Sequence, residues 1–198
     1  MRITANAKVA TRQRILEVAS KLFLDAGWHP TTTRGIAAEA GIATGTLFNY
    51  FATKEAVAAA LIETALERAY EGLPNQPGYG DSVEGDLFSL VWSGFRSLAG
   101  FRTFLGAAAE TIFSPLARQS PDSPGDAIRT THLQWVQSII AEHGVPKPLP
   151  AVTLQLYWTL YLGVLAYWAA DESPGQEDTL ALLDQALKLF VSSLGAAR

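Results

Sequence analysis

The sequence predicts an all-α fold of about nine helices, and three observations support this prediction. Alanine and leucine are abundant, whereas runs that alternate apolar and polar residues are scarce. Apolar residues recur every three or four positions in successive segments, which is the spacing that gives a helix one apolar face. Clusters of glycine and proline separate these segments, as expected for the loops of a helical protein.

The first predicted helix begins at Thr11, a residue type that caps helix N-termini, and stops at Gly27. Residues 1–10 form a predicted polar arm, which is either a solvated terminus or a segment that touches phosphate or the minor groove of DNA. The helix has an apolar stripe formed by Ile15, Leu16, Ala19, Leu22 and Phe23. It is expected to support the two helices that follow.

Residues 31–55 have the pattern of a helix-turn-helix. Thr32 or Thr33 can cap a short helix, and Gly41 ends it because glycine adopts a positive φ without steric cost. A second short helix follows over about residues 44–51, with more outward-facing polar and aromatic residues than a simple core helix would have. In such a motif the second helix enters the major groove of DNA.

The same stretch resembles the N-terminal DNA-binding domain of the TetR family of bacterial regulators. The resemblance covers residues about 11–57 and depends on many residues at fixed spacing: Thr31, Thr32, Ile36, Ala37, Ala40, Gly41, Gly45, Thr46, Leu47, Phe51, Lys54 and Glu55. It implies three helices for DNA, a connecting fourth helix, and a larger helical body whose last two helices pair with those of a second subunit. In the body the resemblance is one of layout only.

By this resemblance, the residues that contact DNA form two groups. The residues that face bases are Thr44, Gly45, Thr46, Phe48 and Asn49, and those that hold phosphates are Thr33, Arg34, Tyr50 and Lys54. Three residues depart from the family pattern: Ala43 replaces a serine cap, Thr44 a basic or amide residue, and Phe48 a tyrosine. The resemblance therefore implies how the helix-turn-helix docks on DNA, but it does not imply the base sequence of the operator. A helical hairpin that binds no nucleic acid is the alternative.

Six more helices are predicted after this motif, at residues 54–71, 81–98, 101–113, 126–142, 151–170 and 178–194. Segments rich in glycine and proline separate several of them, as at residues 72–81 and 114–125. We therefore predict a helix-turn-helix domain at residues 1–53 and a helical-bundle domain for ligand binding and dimerisation at residues 54–198.

The charge is distributed unevenly along the chain. The formal net charge is −4, but residues 1–55 hold seven Lys or Arg against four Asp or Glu, a net charge of +3. The remaining residues hold eight basic against 15 acidic side chains, a net charge of −7. This asymmetry places a basic DNA-binding surface on the N-terminal quarter and leaves an acidic body.

Residues 151–170 contain no charged side chain and are long enough to span a bilayer. Polar residues within the segment and the absence of a basic flank favour a buried helix instead. A helical membrane-associated protein stays as one alternative function, and a ligand-binding helical module without DNA binding stays as a second.

Aromatic residues in the body predict an apolar pocket. The predicted lining is Trp92, Phe95, Phe104, Glu110, His132, Trp135, Gln155, Tyr157 and Tyr161, with Glu110, His132 and Gln155 as polar anchors, and ordinary core packing is the alternative for each. Two apolar stripes run along residues 151–170, and the second requires a pocket or another subunit. The predicted dimer interface is Trp158, Leu165, Trp168, Leu183, Leu187 and Phe190.

No enzyme signature is apparent. The sequence has no glycine-rich phosphate loop, no cysteine, no G-x-S-x-G motif and no histidines at metal-ligand spacing, so it predicts no enzymatic activity, no cofactor and no metal. The absence of cysteine suits a reducing cytoplasm. The sequence and the resemblance together predict a homodimeric, cytoplasmic regulator, most often a repressor. An apolar or aromatic effector would release it from a palindromic DNA operator.

Overall fold

The computed structural model describes residues 5–113 and 123–196. In these ranges the protein has nine α-helices, three short 3-10 turns and no strand. The helices are α1 (Ala5–Asp25), α2 (Thr33–Glu39), α3 (Thr44–Phe48), α4 (Lys54–Glu71), α5 (Val83–Leu98), α6 (Arg102–Ile112), α7 (Pro124–Glu142), α8 (Ala151–Ala170) and α9 (Glu177–Ala196). The predicted all-α class with about nine helices is confirmed.

Helix α1 begins earlier than the sequence analysis predicted. It starts at Ala5, and the Thr11 hydroxyl donates to the Ala7 carbonyl at 2.9 Å, as a threonine inside a helix does. The predicted N-cap at Thr11 is therefore wrong. The physical reason is that the preceding segment is rich in alanine, the residue with the highest helix propensity, and contains no glycine or proline to stop the helix. Residues 1–4 of the predicted arm lie outside the described residues.

Helix α3 is shorter than predicted, ending at Phe48 rather than at residue 51. Asn49 and Tyr50 close it with bonds of the 3-10 type, including Tyr50 N to Leu47 O at 2.9 Å. After α3 the chain is not helical until α4, where the Thr53 hydroxyl accepts a hydrogen bond from Ala56 N. This hydrogen bond caps the N-terminus of α4. Tyr50 consequently follows α3 instead of lying on it.

Two compact units make up the chain. Unit 1 comprises residues 1–64 and 101–125, and unit 2 comprises residues 65–100 and 126–198. The division falls within the continuous helix α4. The predicted boundary at residue 53 separates a DNA-binding domain from a domain for ligand binding and dimerisation, and it stays a prediction.

The core of unit 1 supports the helix-turn-helix from one side. Helix α1 packs against α2 and α6, and α2 packs against α3. The Phe23 ring lies 5.2 Å from the Trp28 ring and 5.0 Å from the Phe104 ring, measured between centroids. Ile15 and Leu47 are also fully buried, and each such side chain stabilises the fold by about 1.5–3 kcal/mol. The short α3 therefore depends on this tertiary packing.

The core of unit 2 is built from α5, α8 and α9, which pack against one another. Phe95 on α5 stacks on Trp168 of α8 with ring centroids 5.0 Å apart. Gly94 allows a close approach, since a Cβ atom there would come within 2.9 Å of Leu66 Cδ2. Among the described residues, no helix combines the length and apolar character needed to cross a membrane.

Candidate functional site

The turn between α2 and α3 is held by local hydrogen bonds. The Thr32 hydroxyl accepts from Gly35 N at 3.1 Å, so Thr32 rather than Thr33 is the N-cap of α2. Gly41 has a φ of +66°, and Ile42 N donates back to Ala37 O at 3.0 Å. Apart from the two neighbouring residues, no described atom would lie within 4 Å of a Cβ at Gly41, so glycine is favoured there by its conformation and not by lack of space.

Helix α3 presents the predicted base-facing residues on the surface. Leu47 is fully buried and anchors the helix, whereas Gly45, Phe48 and Asn49 are exposed. Phe48 is 50% exposed, which is unusual for a phenylalanine. Thr44 and Thr46 are half-buried. The short helix thus offers an amide, an apolar ring and a glycine to whatever binds there.

The N-terminus of α3 lacks a side-chain cap. Ala43 is the N-cap residue and makes no side-chain hydrogen bond, which confirms the consequence expected from this departure from the family pattern. Neighbouring polar groups lie on either side of the helix. Arg34 is exposed and Thr33 half-buried at the start of α2, and Tyr50 is half-buried just after α3. Their predicted phosphate contacts stay predictions.

Lys54 has a structural role that the sequence analysis missed. Its Nζ donates to the Trp28 carbonyl at 2.8 Å and to the Thr31 carbonyl at 3.3 Å, and it lies 4.4 Å from the Trp28 ring centroid. These contacts join the start of α4 to the segment between α1 and α2. An ammonium has three N–H groups, so one remains for a phosphate. No local signal could have revealed the role, because the two carbonyls lie 26 and 23 residues away.

Arg12 is a second residue that the sequence analysis did not assign to the site. It is exposed on α1, and its guanidinium carbon lies 5.3 Å from the centroid of the Phe51 ring, which follows α3. A signal was available in the spacing. Arg12 precedes Ile15 by three positions and Leu16 by four, so it continues the apolar stripe of α1 toward α3.

The predicted pocket residues do not form one group. Phe104 and Glu110 belong to unit 1, and the other seven belong to unit 2. Glu110 is exposed, so its carboxylate is solvated and needs no buried partner. Gln155 is exposed as well, with its Oε1 accepting from Arg129 Nη2 at 2.8 Å. Glu110 and Gln155 therefore do not act as buried anchors in this structure.

Four of the predicted pocket residues do come together in unit 2, around His132. The imidazole centroid lies 4.4 Å from the ring of Tyr161, 5.7 Å from that of Tyr157 and 6.1 Å from that of Trp135. His132 Nε2 and Tyr157 Oη form a hydrogen bond of 2.9 Å, whose direction depends on the tautomer. Burial lowers the pKa of His132 to about 3, so the imidazole is neutral at physiological pH.

A small apolar cavity lies beside this cluster. It encloses about 10 Å³ and is lined by residues of α5, α8 and α9, with Tyr157 and Tyr161 among them. The two tyrosines therefore contact both the imidazole and the cavity. Trp92 and Phe95, the remaining predicted lining residues of unit 2, are half-buried and buried on α5.

The predicted dimer residues require a correction. All six are buried in the chain's own core: Trp158, Leu165, Trp168, Leu183, Leu187 and Phe190. A side chain buried in its own subunit cannot also cover a partner, so the surface that α8 and α9 present consists of other residues. The exposed apolar side chains on these helices are Val152, Leu156, Tyr167, Leu182 and Leu189. The error lay in dividing the faces of a helix that is apolar nearly all round, where the pattern does not distinguish them.

Comparison with known proteins agrees with this geometry. Residues 15–61 match the family described as "Bacterial regulatory proteins, tetR family", and this match contains α2, α3 and their supporting residues on α1. A crystal structure of a TetR transcriptional regulator from Rhodococcus sp. RHA1 superposes with a TM-score of 0.73, covering 92% of this chain and 97% of that chain at 18% identity. The chain therefore matches the TetR family model over residues 15–61 and has the fold of a solved TetR regulator over most of its length.

Two further proteins are similar over different parts of the chain. The HTH-type transcriptional repressor KstR2 of Rhodococcus jostii is 28% identical over 107 residues, covering 54% of this chain and 46% of that repressor. The chain thus spans less than half of the length of this curated relative. Thermus thermophilus FadR, a TetR family repressor solved in complex with lauroyl-CoA, superposes with a TM-score of 0.70 at 23% identity, covering 91% and 93% of the two chains. At these identities, the solved structures establish a shared fold and no shared ligand.

Proposed function

We propose that this protein is a homodimeric DNA-binding regulator of transcription of the TetR type in the cytoplasm. In this proposal it represses by binding a palindromic operator and is released by a lipophilic small molecule. The observation that supports DNA binding best is the exposed side of α3, where Gly45, Phe48 and Asn49 stand out from a helix anchored by Leu47. The basic N-terminal quarter supplies the charge that a DNA surface needs.

Different residues in and just after α3 would contact different bases in the major groove. An asparagine amide pairs well with adenine in the major groove, and an exposed apolar ring suits the methyl group of thymine. We therefore assign Asn49 to an adenine edge and Phe48 to a thymine methyl. Gly45 would allow the backbone to approach closely, and Thr44 and Thr46 would make shorter contacts. Arg34, Thr33 and Tyr50 would hold phosphates and fix the register.

Asn49→Ala is expected to weaken operator binding by about 10- to 100-fold and to relax the base preference at one position per half-site. An operator selected from random DNA and binding curves from fluorescence anisotropy would measure both effects. Gln13→Ala, which removes an exposed amide on α1, is the matched control and should change neither. Equal loss of affinity on operator and random DNA would contradict base readout. The absence of any preferred sequence for the wild type would favour the ligand-binding module that does not bind DNA.

Lys54→Met is expected to weaken DNA binding at every sequence and to reduce the slope of log affinity against log salt by about one. The variant keeps an apolar stem but removes the ammonium. It should also lower the free energy of unfolding by about 1–3 kcal/mol, because two part-buried hydrogen bonds to carbonyls and the contact with the Trp28 ring are lost. Weaker binding with an unchanged salt slope would show that Lys54 only holds the fold of unit 1.

The proposed dimer surface lies on the outer sides of α8 and α9. Val152, Leu156 and Tyr167 follow one another at helical spacing on α8, and Leu182 and Leu189 are seven residues apart on α9. Two copies of this helix pair can form a four-helix interface with twofold symmetry. The lengths of these helices, 20 residues each, suit such an interface.

The proposed effector acts by changing which conformation is populated. It must bind the released form more tightly than the DNA-bound form, since a ligand with equal affinity for both shifts nothing. The continuous helix α4, which contributes residues to both units, is the candidate connection. The lauroyl-CoA bound by Thermus FadR supports a lipophilic effector in this fold.

A further inference from the structure

His132 has a hydrogen-bonding atom that nothing in the described protein satisfies. The side chain is 2% exposed, and its Nε2 is paired with the Tyr157 hydroxyl. Its Nδ1 has no hydrogen-bond partner within residues 5–113 and 123–196. Leaving a buried nitrogen unpaired costs about 1–3 kcal/mol, so the site gains stability if a ligand supplies the missing partner.

The surroundings of His132 limit the charge of such a ligand. The rings of Trp135, Tyr157, Trp158 and Tyr161 surround the imidazole at centroid distances of 4.4–6.1 Å, and burial raises the pKa of both tyrosines. All four side chains are therefore uncharged at neutral pH. A carboxylate or ammonium group would lose its water there without gaining an opposite charge among these rings.

The neighbouring cavity suggests what the rest of the ligand is made of. Tyr157 and Tyr161 form a wall shared by the imidazole and the cavity, whose other lining residues are aliphatic or aromatic, such as Val91, Leu183 and Phe190. A molecule that occupied both places would have one polar group at His132 and an apolar part between α8 and α9. The cavity of about 10 Å³ is close to the volume needed for one water, so its walls must separate to admit that part.

We propose that His132 is the polar anchor of a ligand site in unit 2 that takes an uncharged lipophilic molecule with a hydroxyl group. A hydroxyl both donates and accepts, so it satisfies Nδ1 in either tautomer of the imidazole. Aromatic walls favour a flat ring next to that hydroxyl. The further assignment of this site as the effector site rests on the proposed function. Filling the cavity would separate α9 from α8, the two helices assigned to the dimer.

Three probes of similar shape test the site in the wild-type chain: 4-propylphenol, its isostere 4-propyltoluene and the anion 4-propylbenzoate. Isothermal titration and the quenching of tryptophan fluorescence would measure binding. We expect the phenol to bind at least about tenfold more tightly than the other two, because only the phenol pairs Nδ1 without burying a charge. Equal binding of phenol and toluene, tighter binding of the benzoate, or no binding of any probe would overturn the assignment.

Two variants distinguish a ligand contact from a purely structural role. The amide of His132→Asn places a polar atom near the position of Nδ1, and that of His132→Gln places one near Nε2. The Asn variant should keep the preference for the phenol, and the Gln variant should lose it while keeping the Tyr157 bond. Circular dichroism verifies folding, and equal preference in both variants would contradict the proposal.

Measurement of DNA binding by the same proteins separates this proposal from the proposed function. If the chain binds the phenol through His132 but recognises no operator, the proposed regulatory function is contradicted and the proposed ligand site is supported. Operator binding by a chain that shows no preference for the phenol would support the regulatory function and contradict the ligand site at His132. Operator release by the phenol in the wild type and the Asn variant, but not in the Gln variant, is the result expected if both hold.

Discussion

Leu189→Asp is expected to convert the protein from a dimer into a folded monomer. Leu189 is 64% exposed on α9, so an aspartate there is solvated in the single chain and leaves the core of unit 2 intact. In the proposed four-helix interface, two such carboxylates related by the twofold axis would be desolvated and unpaired. We expect the dimer dissociation constant to rise by at least about 1,000-fold, which corresponds to a loss of about 4 kcal/mol. Sedimentation velocity and circular dichroism would measure assembly and folding.

Two other substitutions make this test specific. Val9→Asp alters an apolar side chain that is 69% exposed on α1 and should leave the dimer unchanged. Trp158→Asp should unfold unit 2 rather than produce monomers, because Trp158 is buried within the chain. A persistent dimer of the Leu189 variant would place the interface elsewhere. The Leu189 monomer should also lose high-affinity operator binding, since a palindrome requires two reading helices.

Asp86→Ala is expected to lower the free energy of unfolding by about 3 kcal/mol. Asp86 is 1% exposed in the first turn of α5, and both its carboxylate oxygens accept from Gly80 N, at 2.9 and 3.1 Å. Its Oδ2 also accepts from His143 Nε2 at 2.7 Å. These contacts hold the loop after α4 and the end of α7 against α5, so the alanine variant leaves two donors without their acceptor. Urea unfolding would measure the loss.

Glu84→Ala is the matched control for this prediction. Glu84 is an exposed acid in the same turn of α5, so its loss removes a similar interaction with the helix dipole but no buried hydrogen bond. A destabilisation of about 0.5 kcal/mol or less is expected. A double-mutant cycle with His143→Gln would isolate the pair itself. Equal losses for Glu84→Ala and Asp86→Ala would show that the buried contacts contribute nothing.

Helix boundaries were predicted best where a local signal sets them. The predicted bounds of α4 and α8 agree with the structure at both ends, because Thr53 and Gly72 flank α4, and Pro150 precedes α8. The turn of the helix-turn-helix was likewise predictable, since Gly41 is the residue that adopts the positive φ. The start of α1 has no such signal, because no glycine or proline precedes Thr11 and threonine also occurs inside a helix, as it does here.

The all-α class, the order of the helices and the segment that resembles a DNA-binding helix-turn-helix are predictable from the sequence alone, because these features depend on residues close together in the chain. Three features depend on the packing of distant segments: which apolar faces of α8 and α9 are buried, the hydrogen bonds from Lys54 to the carbonyls of Trp28 and Thr31, and the position of His132 among four aromatic rings. The physical reason is distance along the chain. An apolar stripe shows that a face is buried, but the partners that cover it lie on other helices, as Phe95 of α5 does for Trp168 of α8, and are selected by how whole helices pack.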